Sequence, residues 1–239
     1  MAITLLFVRS VLYALVFYTL TIPWVIICSL ASLINQRLMI VLVQIWGWMH
    51  RITSRVILGQ RIEIIGTLPT EPGLVILKHE SMFETIDVLC MFVAPVVAAK
   101  QELLDIPGWG WIARRFGVIG IQRTAGAKAL RVLQKQALAS VAAGRPVLLF
   151  PEGTRVPHGQ RAPIRAGFAA LYQLLKLPVT PIAVNSGILS PRGSFLKRPG
   201  VITYKVGETI PPGLPRAEAE AKVLDAINAL NPPPNGHGL

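Results

Sequence analysis

The apolar runs of this chain change character near residue 60. Before it they are long: no charged residue occurs between Ser10 and Gln36, a stretch sufficient to cross a bilayer as a helix. A second run, Leu38 to Met49, is too short to span and suits an interfacial or half-depth helix. After residue 60 the runs become short and β-branched, predicting strands at Ile62–Ile65, Leu74–Leu77, Val96–Ala98, Val118–Ile121, Val147–Phe150, Val179–Val184 and Val201–Val206. Helices are predicted between them at Met82–Phe92, Trp109–Phe116, Ala127–Ala143, Ala166–Leu175 and Arg216–Leu230. Strands separated by helices imply an α/β fold with an open sheet flanked by helices. Ligands of such sheets bind beyond the carboxyl ends of the strands.

The N-terminal pattern admits three arrangements. A cleaved signal peptide has a shorter apolar core and a small-residue cleavage site, and here the apolar pattern resumes beyond Arg37. A single spanning helix would run from about Val11 to Ile34, with Pro23 tolerated inside it. A two-helix hairpin embedded in one leaflet fits best, because the short second run ends in Trp46, Trp48 and His50, an interfacial composition. Arg37, Arg51, Arg55 and Arg61 follow the apolar segments and place the rest of the chain on the cytoplasmic side. The expected division is membrane-anchoring helices over 1–58, one α/β domain over 59–230, and a disordered tail over 231–239, with its three prolines and two glycines. Ser186–Lys197 reads as a loop.

Composition sharpens this picture. Hydrophobic residues make up 52% and charged residues 15% of the 239 positions, and the first acid is Glu63. The net charge of +12 fits an anionic membrane surface. Nucleic acid is disfavoured as a partner, since the basic residues are scattered and lack an aromatic-basic RNA motif. Lys128, Arg131 and Lys135 share one face of a predicted helix, with Arg114 and Arg115 nearby in sequence. They form either a solvated face or a contact for headgroups or an acidic carrier protein. Cys28 and Cys90 read as buried thiols of a reducing compartment.

Two segments carry candidate chemistry. In K-H-E-S-M-F-E, residues 78–84, a histidine stands five residues before a carboxylate. Five helical residues turn through about 140°, so His79 and Glu84 meet only if His79 precedes the helix and Glu84 lies in its first turn. Ser81 to Glu84 reads S-x-x-E, a capping box that starts a helix at about Met82. The segment can therefore be a cap alone, or a histidine with its orienting carboxylate. An imidazole can take the proton of an attacking hydroxyl, and a carboxylate behind it fixes the tautomer. Ser81 is an alternative nucleophile, although its place in the cap speaks against that. Asp87 is a second candidate carboxylate. In F-P-E-G-T-R, residues 150–155, Gly153 permits close backbone approach and Arg155 offers a planar fork for phosphate. Glu152 and Thr154 complete the turn, and Glu152 is suited to orient Arg155 or another basic group.

Together the two segments resemble the signature motifs of the 1-acylglycerol-3-phosphate acyltransferase family. The resemblance spans about Arg61 to Gly207. It departs from the usual H-x-x-x-x-D in carrying Glu84 at the aspartate position. G-V-I-G-I-Q-R, 117–123, resembles the second block, placing Arg123 at a phosphate contact, with Gly120 where a bulkier apolar residue is usual. V-T-P-I-A-V, 179–184, resembles the fourth block, and the segment 98–110 makes Lys100 a further phosphate contact. The resemblance implies a glycerolphosphate acyltransferase-like fold with an open mixed sheet. It implies a membrane-bound enzyme that moves a fatty acyl group from acyl-CoA or acyl carrier protein to a lysophospholipid acceptor, with no metal or redox cofactor. His79 and Glu84 would be catalytic, and Lys100, Arg123, Glu152, Gly153, Thr154 and Arg155 would bind substrate. The acceptor expected is 1-acylglycerol 3-phosphate, giving phosphatidic acid at the cytoplasmic face of the inner membrane. A lyso-aminolipid such as lyso-ornithine lipid is the alternative acceptor, and a silent membrane lipid-binding protein a further one.

Overall fold

The computed structural model describes residues 3–121 and 126–232. Arg123 and the tail from residue 233 lie outside them, as do the side chains of 121 and 126–129. Two helices, α1 (Ile3–Ile34) and α2 (Gln36–Thr53), open the chain. Asn35 separates them in an extended conformation, its side chain accepting the N–H groups of Arg37 and Leu38, an N-cap that starts α2 afresh. The two helices pack on each other as a hairpin. Trp24 Nε1 donates to the Leu42 carbonyl (2.9 Å) and Trp46 Nε1 to Thr21 Oγ1 (3.0 Å). The first helix starts earlier than the charge pattern indicates, because Arg9 Nε donates inward to the Ile57 carbonyl. A π-helical turn, Ser54–Leu58, ends at Gly59 in the left-handed region (φ 73°), a conformation that favours glycine.

The strands among the described residues are β1 (Gln60–Ile65), β2 (Leu74–Leu77), β3 (Val96–Lys100), β4 (Ile119–Ile121), β5 (Val147–Leu149), β6 (Val179–Val184) and β7 (Gly200–Val206). They form one sheet in the order β1-β7-β6-β2-β5-β3-β4. Among the described residues only the β6–β7 strand pairing is antiparallel; the others are parallel. The central strands β2, β5 and β6 are buried along their whole length, which is why they read as continuous apolar runs. Their side chains still alternate. Leu74, Ile76, Val147 and Leu149 enter one core with Phe168, Tyr172 and Val223, while Val75, Leu77 and Leu148 enter the other with Phe83, Val88 and Tyr204.

Helices α6 (Gly126–Ala142), α7 (Ala166–Leu175) and α9 (Arg216–Ile227) cover the first face. Helix α3 (Phe83–Met91) covers the second. The hairpin lies beyond it, sharing a core of Phe17, Met39 and Trp46 with Ile86 and Leu89 of α3 and with Ile112 and Phe116 of α5 (Trp109–Phe116). A short helix, α4 (Gln101–Leu104), links β3 to α5. Arg115 of α5, a candidate headgroup contact, instead donates to the Ser32 carbonyl at the end of α1. Cys28 is buried and Cys90 only partly so. Ser186–Lys197 is not all loop: its first residues form a helical turn, α8 (Ser186–Leu189).

Candidate active site

His79 and the 150–155 turn follow the carboxyl ends of β2 and β5, and Lys100 is the last residue of β3; these strands are parallel neighbours, so the sheet delivers all three to one edge. His79 lies two residues past β2 and before α3. Its Nδ1 meets Glu84 Oε1 at 2.9 Å, the carboxylate being fully buried and the imidazole 15% exposed. The ring packs on Phe150, with centroids 4.3 Å apart. Glu84 Oε1 also accepts the N–H groups of Glu80 (2.8 Å) and Ser81 (2.7 Å), while Oε2 accepts Ser186 Oγ (2.6 Å). Ser81 Oγ accepts the Phe83 N–H. Cap and histidine–carboxylate pair are therefore one structure. Ser81 is buried and held in that cap. Asp87 pairs with α2 instead of His79, accepting Nε and Nη2 of Arg51 at 2.7 and 2.8 Å.

Beneath His79 lies a pair that the sequence reading missed. Lys78 is fully buried, and its three ammonium hydrogens have three acceptors: Glu152 Oε1 (2.8 Å), Asn228 Oδ1 (2.8 Å) and the Gln160 carbonyl (2.9 Å). Glu152 Oε2 accepts the His79 N–H (2.9 Å). The basic group that Glu152 orients is thus Lys78 and not Arg155. The buried ion pair fixes the height of His79 from below. A lysine closing a buried apolar run was the available signal, since an uncompensated buried ammonium is prohibitive.

The 150–155 turn is pinned to the histidine by Val156 N–H, which donates to the His79 carbonyl (2.7 Å). Gly153 has φ 65°, a conformation that side chains rarely adopt. Arg155 is half-buried on the same turn. Thr154 Oγ1 accepts from Arg192 (3.2 Å). Lys100 is exposed at the end of β3, two strands from β2 and so about 10 Å across the sheet. Arg123, two residues past β4, lies outside the described residues.

A second histidine–carboxylate pair stands beside the first. Glu80 is fully buried; its Oε1 meets His158 Nδ1 at 3.0 Å and its Oε2 accepts the Gly187 N–H at 2.9 Å. Burial pushes the Glu80 carboxyl up to about 8; the Gly187 N–H and Lys78 oppose the rise, and Glu84 and Glu152 add to it. Burial, helped by Lys78, lowers His158. Both shifts favour a proton on the Glu80 carboxyl and a neutral His158 imidazole.

A buried carboxylate behind a partly exposed imidazole, with an arginine-bearing turn attached to it, can remove a proton from an anionic hydroxyl substrate. The chain is similar to known proteins. A model of the Acyltransferase family matches residues 60–185, more than half of the chain. The 1-acyl-sn-glycerol-3-phosphate acyltransferase of Pseudomonas aeruginosa is 36% identical over 180 residues, covering 74% of this chain and 67% of that protein. The 1-acyl-sn-glycerol-3-phosphate acyltransferase alpha of Mus musculus is 30% identical over 185 residues, and the aligned part spans 62% of its length. The crystal structure of the 1-acyl-sn-glycerophosphate acyltransferase PlsC of Thermotoga maritima is similar in fold. It has a TM-score of 0.75 over 93% of this chain and 94% of that one, at 20% identity. With both motifs in place and more than half its length matched, the chain belongs to the Acyltransferase family and is an acyltransferase enzyme.

Proposed function

We propose that this enzyme transfers a fatty acyl group from an acyl thioester, acyl-CoA or acyl carrier protein, to the sn-2 hydroxyl of 1-acylglycerol 3-phosphate, forming phosphatidic acid. The observation that carries the mechanism is the 2.9 Å contact of His79 Nδ1 with the buried Glu84 carboxylate. That contact places the hydrogen on Nδ1 and leaves Nε2 to accept the substrate proton. The acceptor oxygen attacks the thioester carbonyl as its proton passes to Nε2. The tetrahedral intermediate then expels the thiolate, and the imidazolium protonates it. Glu84 stabilises the imidazolium between those two transfers. Arg155 binds the headgroup phosphate in this reading, with Arg123 and Lys100 as further contacts; Gly153 and Thr154 shape the turn that presents Arg155.

The hairpin supports a membrane-embedded reading. Helix α1 is long and apolar enough to cross a bilayer, and it exposes Phe7, Leu12, Leu15, Ile26 and Leu30, while α2 exposes Leu38, Val41 and Ile45. We place this surface in one leaflet and the catalytic domain on the cytoplasmic face of the inner membrane, where a lysolipid is reached without leaving the bilayer.

The test is acyl transfer by the purified full-length protein in detergent, wild type beside His79→Ala, with radiolabelled acyl-CoA offered with either 1-acylglycerol 3-phosphate or lyso-ornithine lipid. Phosphatidic acid formed by the wild type and lost in the variant is the expected result. Labelled product from lyso-ornithine lipid alone would overturn the acceptor assignment, and near-normal turnover by His79→Ala would end the general-base role.

A further inference from the structure

Residues 186–199 form a strap between the catalytic carboxylate and the first apolar helix. At one end Ser186 Oγ donates to Glu84 Oε2 and the Gly187 N–H to Glu80 Oε2. At the other end the Lys197 N–H donates to Ser10 Oγ of α1 (2.9 Å), and the Phe195 ring lies 6.0 Å from that of Phe7. Midway, Arg192 crosses to the 150–155 turn. One of its Nη1 contacts is Thr154 Oγ1 at 3.2 Å, and the other is the Arg155 carbonyl at 3.1 Å.

The strap thereby adds two cations, Arg192 and Lys197, to Arg155. Among the described residues none of the three forms an ion pair with a carboxylate. Lys197 is half-buried, and its burial together with the Arg155 charge lowers its pKa. Cations gathered without a counter-charge repel one another, and a bound anion relieves that repulsion. A phosphate monoester carries roughly 1.5 to 2 negative charges near neutral pH, more than one guanidinium offsets. The contacts with Thr154 and the Arg155 carbonyl both use Arg192 Nη1, so part of the planar guanidinium's donor set remains for an oxyanion.

We propose that Arg192 and Lys197 bind the headgroup phosphate of the acceptor together with Arg155, making the strap a headgroup-recognition element. This rests on the acceptor assignment above. Coenzyme A also carries phosphate groups, so the same cations would serve the donor if the geometry were reversed.

Steady-state kinetics of the full-length enzyme in detergent separate these cases, for wild type, Arg192→Gln, Lys197→Gln and Arg192→Lys. The lysine variant retains charge without the fork, and Lys197→Gln leaves the backbone bond to Ser10 in place. Each Gln variant is expected to raise KM for 1-acylglycerol 3-phosphate about tenfold or more, with kcat and the KM for acyl-CoA nearly unchanged. Arg192→Lys should recover part of the loss, and inorganic phosphate should inhibit the wild type competitively against the acceptor and inhibit Arg192→Gln more weakly. A KM rise confined to acyl-CoA would reassign the cations to the donor. A fall in kcat alone would mean that the strap merely supports Ser186 and Glu84, and unchanged constants would make both cations solvent-facing; each outcome overturns the proposal. If the wild type fails to acylate 1-acylglycerol 3-phosphate, the acceptor assignment falls first. Wild-type turnover with unaffected variants refutes the strap's role alone.

Discussion

Glutamine at position 80 would separate charge from shape at the second histidine pair. The protonated Glu80 offers its O–H to His158 Nδ1 and its other oxygen to the Gly187 N–H. A glutamine amide makes the same two bonds, its NH2 donating to Nδ1 and its carbonyl accepting from Gly187. Shape and hydrogen bonds survive while the titration disappears. The unfolded carboxyl titrates near 4.5 and the folded one at about 8. Between those values the folded state holds more protons, so the contribution of Glu80 to stability is complete below 4.5 and is lost as pH rises through 8. His158, lowered from 6.5, acts in the opposite sense, and only below 6.5. The interval from pH 6.5 to 8 therefore isolates Glu80. At 1.36 kcal/mol per unit, the wild type should lose about 2 kcal/mol across it relative to Glu80→Gln. For a chain of this size that is a shift of roughly 4–8 °C in Tm. Thermal unfolding of both proteins in one detergent, at pH 6.5 and pH 8, reads the difference. Parallel pH profiles, or a variant less stable than wild type at pH 8, would refute the assignment of a buried protonated glutamate.

Other substitutions test the neighbouring groups. Glu84→Gln removes the negative charge behind the imidazolium and should lower kcat by about 10²–10⁴, read at saturating acceptor; a loss below tenfold would contradict its role. Asp87→Asn breaks the bidentate bond to Arg51 and should cost about 3 kcal/mol of stability while kcat per folded molecule stays close to wild type. A larger kcat loss there than at Glu84 would transfer the role to Asp87. Lys78→Met strands Glu152 without its partner and should cost about 3–5 kcal/mol in denaturant unfolding. Adding Glu152→Gln should return part of that loss, and strict additivity of the two would argue against coupling.

Much of the scaffold was legible because it is buried on both faces. Strands β2 and β6 have the limits expected from their apolar runs because they have no solvent side; helices α5 and α7 also have the expected limits, although Arg114, Arg115 and Gln173 give each an exposed side. Even Pro181 inside β6 obeys local chemistry. Its carbonyl accepts the Gly207 N–H just past the last ladder pair, Ile182↔Val206, where a missing donor removes no ladder bond. The contact of His79 with Glu84 was legible as well, because both residues fall within one turn and the spacing allows a single geometry. What escaped was long-range. The partners of Lys78 lie 74, 82 and 150 residues away, and Ser186 lies 102 residues from Glu84. No local periodicity encodes such pairs. The strap also hid itself, because S-G-I-L-S-P-R-G-S has the composition of a turn, and only its contacts with Glu84, Thr154 and Ser10 give it a role.

In the proposed mechanism, Glu84 shows why capping and catalysis need not compete in this segment. A glutamate on a helix start is ordinarily mobile, and orienting a carboxylate against a histidine requires its rotamers to be frozen beforehand. Here two backbone N–H groups grip Oε1 at 2.8 and 2.7 Å, and the Ser186 hydroxyl grips Oε2 at 2.6 Å. Those bonds exist before substrate binds, so the geometry at Nδ1 is set during folding and not during turnover. The extra methylene that distinguishes Glu84 from the usual aspartate is accommodated by the same cap. It allows the carboxylate to fold back over its own helix start to reach residues 79–81. Altering the cap should therefore change the chemistry without touching the histidine. By the same reasoning, Ser186→Ala, which releases only Oε2, should lower kcat much less than Glu84→Gln does.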